Sequence, residues 1–287
     1  MVVSCLILNY NDSKTTLELL NKIKDYKILN YILIIDNCSR DNSFNILCDY
    51  RSSEVHVLQT DKNGGYGYGN NFGIRYAYDK LKSDYVVIAN PDVEFSEGCV
   101  QTLCDFLSEN KNYCTVSCIQ RDGNGRYKEV TAWPVPSVAQ YVFSASQILN
   151  KIFKFMTYKD GYFNGESVDV DCVPGSFLIV DTELMLKYGM YDEDIFLYCE
   201  ETTLGKKLKD RGYKTALVLI ESYIHHHSVS IDKEFKSDIK KRKLLIQSRC
   251  IFLKKYYRLS SIRMFLIKCF YKFTILEYAI IQNVRGF

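Results

Sequence analysis

Short apolar runs alternate with amphipathic segments along the first half of the chain. The runs lie at 2–8, 31–35, 55–58, 85–89 and 114–119. They are nearly continuous and rich in β-branched residues, which is typical of strands buried on both faces of a parallel sheet. Between them, apolar residues recur at helical spacing, as Leu17, Leu20 and Ile23 do. This alternation of strand and helix predicts an α/β fold with a doubly wound, mostly parallel sheet.

The second half of the chain is predicted to extend this architecture. Further apolar runs predict strands at 168–173, 177–180 and 214–219. Helical spacing predicts one helix over 138–155 and another that begins at Glu200 and ends near Asp210. The DGNG sequence within 121–126 is typical of a hairpin turn.

Polar side chains stand where the predicted strands end. Asp36 follows the second strand, and Asn90 and Asp92 follow the fourth strand, which Pro91 ends. In open α/β sheets, ligands bind at the carboxyl ends of the strands. A carboxylate there suits a hard cation and, through it, a phosphate, while Asp36 can accept hydrogen bonds from a nucleobase or a ribose. Taken alone, Asp92 is equally explained as a turn residue, and Asp36 is better explained as a turn or helix-capping residue.

A glycine-rich segment, NGGYGYGNNFG at 63–73, comes before the fourth strand. Its glycines permit tight turns and the close approach of a ligand to the backbone, and the spacing becomes helical from Asn70 onward. A loop that leads into a helix N-terminus is a natural site for phosphates. The segment matches neither the dinucleotide fingerprint nor the Walker motif. A glycine-rich connection that binds nothing is the alternative.

Two later segments also carry candidate chemistry. Five carboxylates gather in the segment that ends with Glu200 and Glu201, although acidic residues at a helix start also suit the helix dipole without any catalytic role. Three consecutive histidines, 225–227, follow the last predicted strand. Alternate residues of an extended segment share a face, so His225 and His227 can act on one ligand. A polar surface patch is the alternative for these histidines.

Composition narrows the class of protein. The 287 residues carry a net charge of +3, but the eleven basic residues within 240–272 are accompanied by no Asp or Glu. Apolar residues mix with them, which predicts cationic amphipathic helices that suit an anionic membrane surface or pack on the rest of the chain. No nucleic-acid-binding fold accompanies the charge, so nucleic-acid binding is not expected. The eleven cysteines contain no CxxC pair, which favours reduced thiols.

The ordered set of motifs resembles the bacterial family 2 glycosyltransferases. It comprises VVSCLILNYN, IIDNCSRDNS, NGGYGYGNNFGI, IANPDVEF, PGSFLIV, YDEDIFLYCEETTLGKKLKDRGY and HHHSVS. The chain is similar in particular to the rhamnosyltransferase-like members. The resemblance covers about residues 1–230 and implies the GT-A fold, a Rossmann-like, mostly parallel mixed sheet flanked by helices. It divides the chain into a nucleotide-sugar-binding half at 1–119, an acceptor half at 120–230 and a basic helical extension at 231–287.

The resemblance also implies a role for each candidate residue. The sugar-nucleotide site is expected to include Asn9, Asp36, Asn63, Gly65, Asn71, Asn90 and Asp92. Asp92 matches the carboxylate that binds Mg²⁺ or Mn²⁺, and His225 or His227 matches a histidine that completes the metal–diphosphate site. Glu200 and Glu201 match an acidic pair whose second member is the catalytic base.

Three positions depart from the family pattern. Asn90 replaces the first carboxylate of the DxD-type motif, Glu201 replaces an aspartate, and Thr203 replaces a third carboxylate. Glu201 therefore reaches one methylene further than the usual base, and Glu200 stays a second candidate for that role. One alternative function is a catalytically inactive protein that binds a sugar nucleotide. Another is a sugar-1-phosphate nucleotidyltransferase, although the segment after the first strand lacks the glycine-rich basic loop of that class.

The expected activity is inverting, metal-dependent transfer of a sugar, with rhamnose as a candidate, from a UDP- or dTDP-linked donor. The expected acceptor is a saccharide or a lipid-linked molecule in bacterial cell-surface polysaccharide synthesis. The expected location is cytoplasmic, with peripheral contact between 240–281 and the inner face of the plasma membrane.

Overall fold

The computed structural model describes residues 1–128, 131–226 and 238–285. Within these residues nine strands form one sheet. The strands are β1 (Val3–Asn9), β2 (Tyr31–Asp36), β3 (Val55–Gln59), β4 (Tyr85–Ala89), β5 (Val93–Glu94), β6 (Tyr113–Asp122), β7 (Ser167–Val170), β8 (Phe177–Asp181) and β9 (Lys214–His225). Each apolar run of the first half forms a strand at its predicted place, because such a run is satisfied only when both faces of the strand are covered.

Helices cover both faces of this sheet and extend beyond it. They are α1 (Ser13–Ile23), α2 (Ser43–Cys48), α3 (Tyr66–Asp79), α4 (Glu97–Glu109), α5 (Val138–Phe143), α6 (Gln147–Phe153), α7 (Thr182–Leu184), α8 (Glu200–Lys209), α9 (Asp238–Tyr256) and α10 (Ser261–Arg285). A π-helical turn, Met185–Gly189, continues α7. None of the helices in the described ranges is long and apolar enough to cross a membrane.

The sheet has the order β3-β2-β1-β4-β8-β6-β9-β5, and β7 pairs with β9. The strands β3, β2, β1 and β4 run parallel, while β8 is antiparallel to both β4 and β6. The parallel pairing of β1 with β2 places Asn9 beside Asp36. The carboxyl ends of β1, β2 and β4 therefore form one edge, where the sequence predicts the ligand.

Alternate side chains of the central strands enter two separate apolar cores. On β4, Val87 packs into the core that includes α1 and α4, whereas Val86 and Ile88 pack into the core on the other face of the sheet, beside Ile74 of α3. All five residues of β4 are buried. This double burial holds the end of β4 rigidly, and with it the segment that carries Asn90 and Asp92.

The predicted single helix over 138–155 is wrong, because the structure has two short helices there. The chain turns at Ala145, and Ser146 caps α6 by accepting a hydrogen bond from the Leu149 N–H. Glu277 of α10 accepts hydrogen bonds from the Ser146 hydroxyl at 2.9 Å and the Ile148 N–H at 2.8 Å. A carboxylate more than a hundred residues away thus stabilises a helix start that local spacing does not reveal.

The strand predicted at 214–219 is longer than expected and continues to His225. Its extension pairs with β5, in the register Val93 opposite His225. The strand predicted at 168–173 is shorter and ends at Val170. The extension of β9 matters most for the site, because it carries His225 to the residues that follow Asn90.

A third apolar core joins α9 and α10 to the segment before α8. Its fully buried members are Tyr141 on α5, Phe252 and Leu253 on α9, and Tyr271 on α10. Cys199, directly before α8, belongs to the same core. The predicted domain boundary at residue 230 lies outside the described residues and stays a prediction, but α9 and α10 pack firmly against the rest of the chain.

Candidate active site

Asn9 and Asp36 form the innermost part of the edge, at the ends of β1 and β2. The Asn9 amide donates to Asp36 Oδ2 at 2.7 Å, and its carbonyl accepts from the Thr16 hydroxyl at 2.8 Å. Asp36 also accepts hydrogen bonds from the Ser39 N–H and from the Gln59 amide, both at 2.9 Å. Both side chains are fully buried, so they form a rigid floor for this edge.

The hydrogen bonds of Asp36 limit what it does here. Each carboxylate oxygen already accepts two hydrogen bonds from the protein. A nucleobase reaches Asp36 only if the Gln59 amide moves aside, so the predicted base contact stays a prediction. Sequence reasoning missed Gln59, although it ends β3 as Asp36 ends β2 and so lies at the same edge.

The glycine-rich loop is tied to the segment before α8. Gly65 has a φ of +91°, and an added Cβ would lie 2.0 Å from the Phe196 carbonyl oxygen, so only glycine fits. The next residue, Tyr66, donates its N–H to the same carbonyl at 3.1 Å. Asn63 turns the loop by accepting from the Gly65 N–H at 3.1 Å. The loop therefore fixes the course of the segment around Phe196, and the predicted ligand contacts of Asn63 and Gly65 stay predictions.

Asn71 on α3 has a similar positioning role. Its amide donates to the Tyr191 carbonyl and to Glu193 Oε1, both at 2.9 Å, and its carbonyl accepts from the Tyr191 N–H at 2.8 Å. Both polar atoms of the amide are engaged within the protein. Its predicted ligand contact stays a prediction, whereas its contact with the segment that leads to Glu200 is explicit.

Asp92 and His225 lie side by side where β5 pairs with β9. The distance between Asp92 Oδ1 and His225 Nε2 is 3.3 Å, and both side chains are mostly buried. The backbone fixes this approach, since the His226 N–H donates to the Asp92 carbonyl at 3.0 Å. Asn90, two residues earlier, donates its N–H to the Ser176 carbonyl at 2.8 Å. The predicted partner His227 lies outside the described residues.

The tautomer of His225 depends on Gln120 of β6. His225 Nδ1 lies 2.9 Å from the Gln120 amide nitrogen, a donor that requires Nδ1 to be the acceptor. The proton then sits on Nε2 and faces Asp92. Rotating the Gln120 amide by half a turn reverses this, placing the proton on Nδ1 and freeing the Nε2 lone pair for a metal ion.

The donors at Asp92 and His225 fit a divalent metal ion in part. A carboxylate oxygen and an imidazole nitrogen 3.3 Å apart can enter the coordination shell of a single ion. Among the described residues no group of three or more His, Cys, Asp or Glu side chains is arranged to hold a metal. Mg²⁺ commonly takes one or two protein carboxylates and completes its shell with substrate phosphates, so two protein donors are compatible with it.

Glu200 and Glu201 begin α8 after two residues in the left-handed conformation. Tyr198 and Cys199 have φ values of +69° and +72°, and such backbone strain persists only where surrounding contacts enforce it. Burial, and then the charge of Glu201, raises the pKa of Glu200 well above its ordinary value. Burial also raises the pKa of Glu201. Each carboxyl group is thus protonated more readily than an exposed glutamate, and a raised pKa is the direction of shift found in catalytic carboxyl groups.

The two glutamates differ in their access to solvent. Glu200 is nearly fully buried and its Oε1 atom has no hydrogen-bond partner within the described residues. Glu201 is only partly buried, and its Oε1 accepts from the Gly175 N–H at 3.2 Å. A Cβ at Gly175 would lie 3.1 Å from that same oxygen. Glu201 is therefore both oriented and accessible, which a proton acceptor needs.

One cleft of about 460 Å³ brings four of the predicted residues together. Its walls include Asn90, Glu200, Glu201 and His225. Asn9, Asp36, Asn63, Gly65, Asn71 and Asp92 are not among the residues that line it. Asp92 lies behind the lining residue His225, 3.3 Å from its Nε2 atom, and the others form the edge at β1 and β2 and the supports described above.

Sequence reasoning also missed several residues of this cleft. Lys128 lies in its wall, and burial lowers the pKa of its amine. Leu245 and Arg249 reach the cleft from α9, where Arg249 donates to the Tyr141 carbonyl at 2.7 Å. Arg249 could have been noticed in the sequence, because it is a basic residue within the apolar stripe of a helix. A basic residue is rarely buried there unless neighbouring groups bind it.

The helix α9 holds the segment before Glu200 by direct hydrogen bonds. Ser248 donates its hydroxyl to the Leu197 carbonyl at 2.6 Å. Tyr256 donates to Asp192 Oδ2 at 2.7 Å, and Lys255 pairs with Asp192 Oδ1 at 2.7 Å. These contacts supply the external constraint that two consecutive left-handed residues require.

The fold and this arrangement define a class of protein. The sequence profile of "Glycosyl transferase family 2" matches residues 4–172, and the chain belongs to this family. Its fold is GT-A, as in the solved structure of GalNAc-T7 with UDP, GalNAc and Mn²⁺, with a TM-score of 0.64 at 14% identity. That alignment covers 90% of this chain and 49% of the other, so the chain spans about half the length of that protein.

Two curated relatives narrow the likeness within the family. The chain is 26% identical over 236 residues to the rhamnosyltransferase WbbL of Escherichia coli K12, covering 78% of this chain and 86% of the relative. It is also 26% identical over 214 residues to an N-acetylglucosaminyl-diphospho-decaprenol L-rhamnosyltransferase of Mycobacterium tuberculosis, covering 71% and 68%. The predicted rhamnosyltransferase-like family 2 assignment and the predicted fold class are confirmed.

Proposed function

We propose that this protein is an inverting, divalent-metal-dependent glycosyltransferase that moves a sugar from a nucleoside diphosphate to a saccharide or lipid-linked acceptor. The observation that supports this proposal most directly is the cleft lined by Asn90, His225, Glu200 and Glu201. Two relatives named as rhamnosyltransferases make rhamnose the first sugar to test, and the mycobacterial name supports a lipid diphosphate acceptor. The proposed setting is bacterial cell-surface polysaccharide synthesis, in the cytoplasm at the inner face of the plasma membrane.

The donor side is assigned to His225, which lines the cleft, and to Asp92 beside it. These two side chains would hold Mg²⁺ or Mn²⁺, whose charge stabilises the negative charge that develops on the leaving diphosphate. The known structure of GalNAc-T7 with UDP and Mn²⁺ supports this cofactor class. Gln120 contacts the His225 ring through Nδ1, so the orientation of its amide sets whether Nε2 offers a lone pair to the ion.

The acceptor side is assigned to the two glutamates. Glu201 accepts the proton of the acceptor hydroxyl while the hydroxyl oxygen bonds to the anomeric carbon. At the same time the bond between that carbon and the diphosphate oxygen breaks. Attack from the face opposite the leaving group inverts the anomeric centre. The hydrogen bond from the Gly175 N–H favours the ionised form of Glu201. The Glu200 carboxyl group lacks this donor, and burial together with the charge of Glu201 raises its pKa.

Nucleotide binding tests the donor side. Calorimetric titration of UDP, dTDP, GDP and CDP, with and without Mn²⁺, should find one diphosphate that binds tightly only with the metal. Asp92→Ala should abolish this metal dependence, whereas Asp79→Ala, at the exposed end of α3, should leave it intact. Metal-independent binding of equal strength in the wild type and in Asp92→Ala would refute the metal-dependent mechanism.

Turnover tests the acceptor side. Glu201→Ala should lower kcat by about 10²- to 10⁴-fold, the usual contribution of a positioned base, and Glu201→Asp should retain measurable activity. Nuclear magnetic resonance of the first product formed should show the anomeric configuration opposite to that of the donor. Full turnover by Glu201→Ala would exclude it as the base, and nucleotide binding without any turnover in the wild type would favour a catalytically inactive binding protein.

A further inference from the structure

The helix α10 is apolar on two opposite faces. Its inner face packs into the third core through Met264, Ile267 and Tyr271, all nearly fully buried. Its outer face exposes a second apolar stripe, with each side chain more than half exposed. The stripe consists of Ile262, Phe265, Leu266, Phe273, Leu276 and Ile280. These residues recur at helical spacing, so they lie on one side of the helix.

This stripe is long and continues onto a neighbouring helix. At 1.5 Å per residue it extends for about 27 Å from Ile262 to Ile280. The short helix α6 lies beside α10, to which Glu277 ties its first turn, and it exposes Ile148, Ile152 and Phe153 by more than half. A contiguous apolar surface of this size, offered by a chain with three packed cores, marks an interaction site. We call the stripe together with these α6 residues the apolar face.

Positive charge flanks the apolar face. A groove of about 650 Å³ between α9 and α10 shares Phe265 with the stripe, and its rim carries Lys243, Lys254, Lys268 and Lys272. No acidic side chain lines this groove. Within 238–285 the only acidic residues are Asp238, which pairs with Lys241, and the buried Glu277. The charge beside the apolar face is therefore uncompensated by the described chain.

We propose that the apolar face and the four groove lysines form a docking surface for an anionic lipid bilayer. The apolar side chains enter the boundary between headgroups and acyl chains while the lysines contact lipid phosphates. The helix lies along the membrane, because no helix in the described ranges is apolar enough to span one. A symmetric second copy is a poorer occupant, since self-pairing of this face would gather the lysines of both copies, including Lys268 and Lys272, at one interface without acidic partners.

Vesicle flotation tests this surface without donor, metal or acceptor, so its outcome is independent of the proposed glycosyl transfer. The full chain should bind vesicles that contain phosphatidylglycerol at least about tenfold more strongly than phosphatidylcholine vesicles. Lys268→Glu with Lys272→Glu should lower binding to the anionic vesicles at least about tenfold. The matched pair Lys14→Glu with Lys27→Glu, exposed on and after α1, should bind as the wild type does.

The apolar contribution needs its own variant. Phe265→Ser, Phe273→Ser and Leu276→Ser together should remove the binding that persists in high salt, while the thermal midpoint stays unchanged because all three side chains are exposed. Equal binding to neutral and anionic vesicles, or none to either, would overturn the proposal. Self-association in sedimentation velocity that this triple variant abolishes, without vesicle binding, would assign the apolar face to a second copy instead.

Discussion

At the scale of single residues, the charge state of Glu200 couples stability to pH. Burial raises its folded pKa well above its ordinary value of 4.5, so the folded chain holds the proton more tightly than the unfolded chain. The stabilising contribution of the Glu200 proton to the free energy of unfolding is complete below the pKa of the unfolded chain. It is lost as the pH rises towards the pKa of the folded chain. We expect Glu200→Gln to melt at a higher temperature than the wild type at about pH 8, and the difference to vanish at about pH 4.

A matched substitution separates this effect from a general loss of charge. Glu109→Gln, at the exposed end of α4, should leave the melting temperature unchanged at both pH values. Calorimetric scans of the three proteins across this pH range supply the comparison. An unchanged midpoint for Glu200→Gln at the higher pH would mean that Glu200 is ionised without cost in the folded protein.

Two glycines with positive φ allow a second comparison. Gly125 has a φ of +76° with no atom near an added Cβ, whereas a Cβ at Gly65 would collide with the Phe196 carbonyl. Gly125→Ala should cost only the backbone strain, about 1 kcal/mol. Gly65→Ala should cost about 3 kcal/mol or more, because α3 and the segment before α8 must separate. Urea denaturation measures both, and equal losses would show that the contact of Gly65 with Phe196 contributes nothing.

The candidate residues were found in the sequence more readily than their partners. Asp92 follows β4 and His225 ends β9, so the strand pattern marked both as candidates for one edge of the sheet. Asn71 lies within the glycine-rich motif, yet its amide is occupied by Tyr191 and Glu193, more than a hundred positions away. Local pattern identifies the residues that can bind a ligand, but only the fold decides which of them are already bound to the protein itself.

At the scale of elements, the pattern of apolar residues predicted strands better than helix ends. An apolar run of β-branched residues is satisfied by one structure, a strand covered on both faces, which is why β4 was predicted without error. Helices α5 and α6 share one apolar spacing, and the break between them depends on Glu277 of α10. Short strands are missed by sequence prediction for the same reason. The strand β5 has only two residues, and its strand structure depends on pairing with β9.

The contacts of α9 make it a positioning element for Glu201, the proposed base. We expect Ser248→Ala and Tyr256→Phe each to lower kcat by about ten- to a hundredfold, because a small displacement of Glu201 is costly. The KM for the sugar nucleotide should change little, since Asp92 and His225 lie on other elements. Steady-state kinetics with a soluble acceptor would measure this separation of kcat from KM.

The control for Tyr256→Phe is the same substitution on an exposed tyrosine. Tyr78→Phe on α3 should leave both constants unchanged. Equal kcat values for Tyr256→Phe and the wild type would show that Lys255 alone suffices to hold Asp192. A rise in KM without a change in kcat would instead place α9 among the donor-binding elements.

At the scale of the whole molecule, α9 and α10 are structural parts of the catalytic unit. Their charge and amphipathic pattern are visible in the sequence, but their packing partners are not, because Tyr141 and Cys199 lie far from them along the chain. Both helices contribute to the third core, and α10 carries the stripe of the apolar face on its opposite side. Stability and surface attachment are therefore separable within a single pair of helices.

Two identical substitutions on this pair test that separation. Phe252 is fully buried against Tyr141, with ring centroids 4.9 Å apart, whereas Phe265 is 65% exposed. Phe252→Ala should lower the free energy of unfolding by about 3–5 kcal/mol and reduce activity, since it loosens the helix that holds the segment before Glu200. Phe265→Ala should change that free energy by no more than about 0.5 kcal/mol. Urea denaturation measures the free energy of unfolding of both variants. An equal decrease for the two would mean that the outer face of α10 is buried like its inner face, which would leave no free surface for docking.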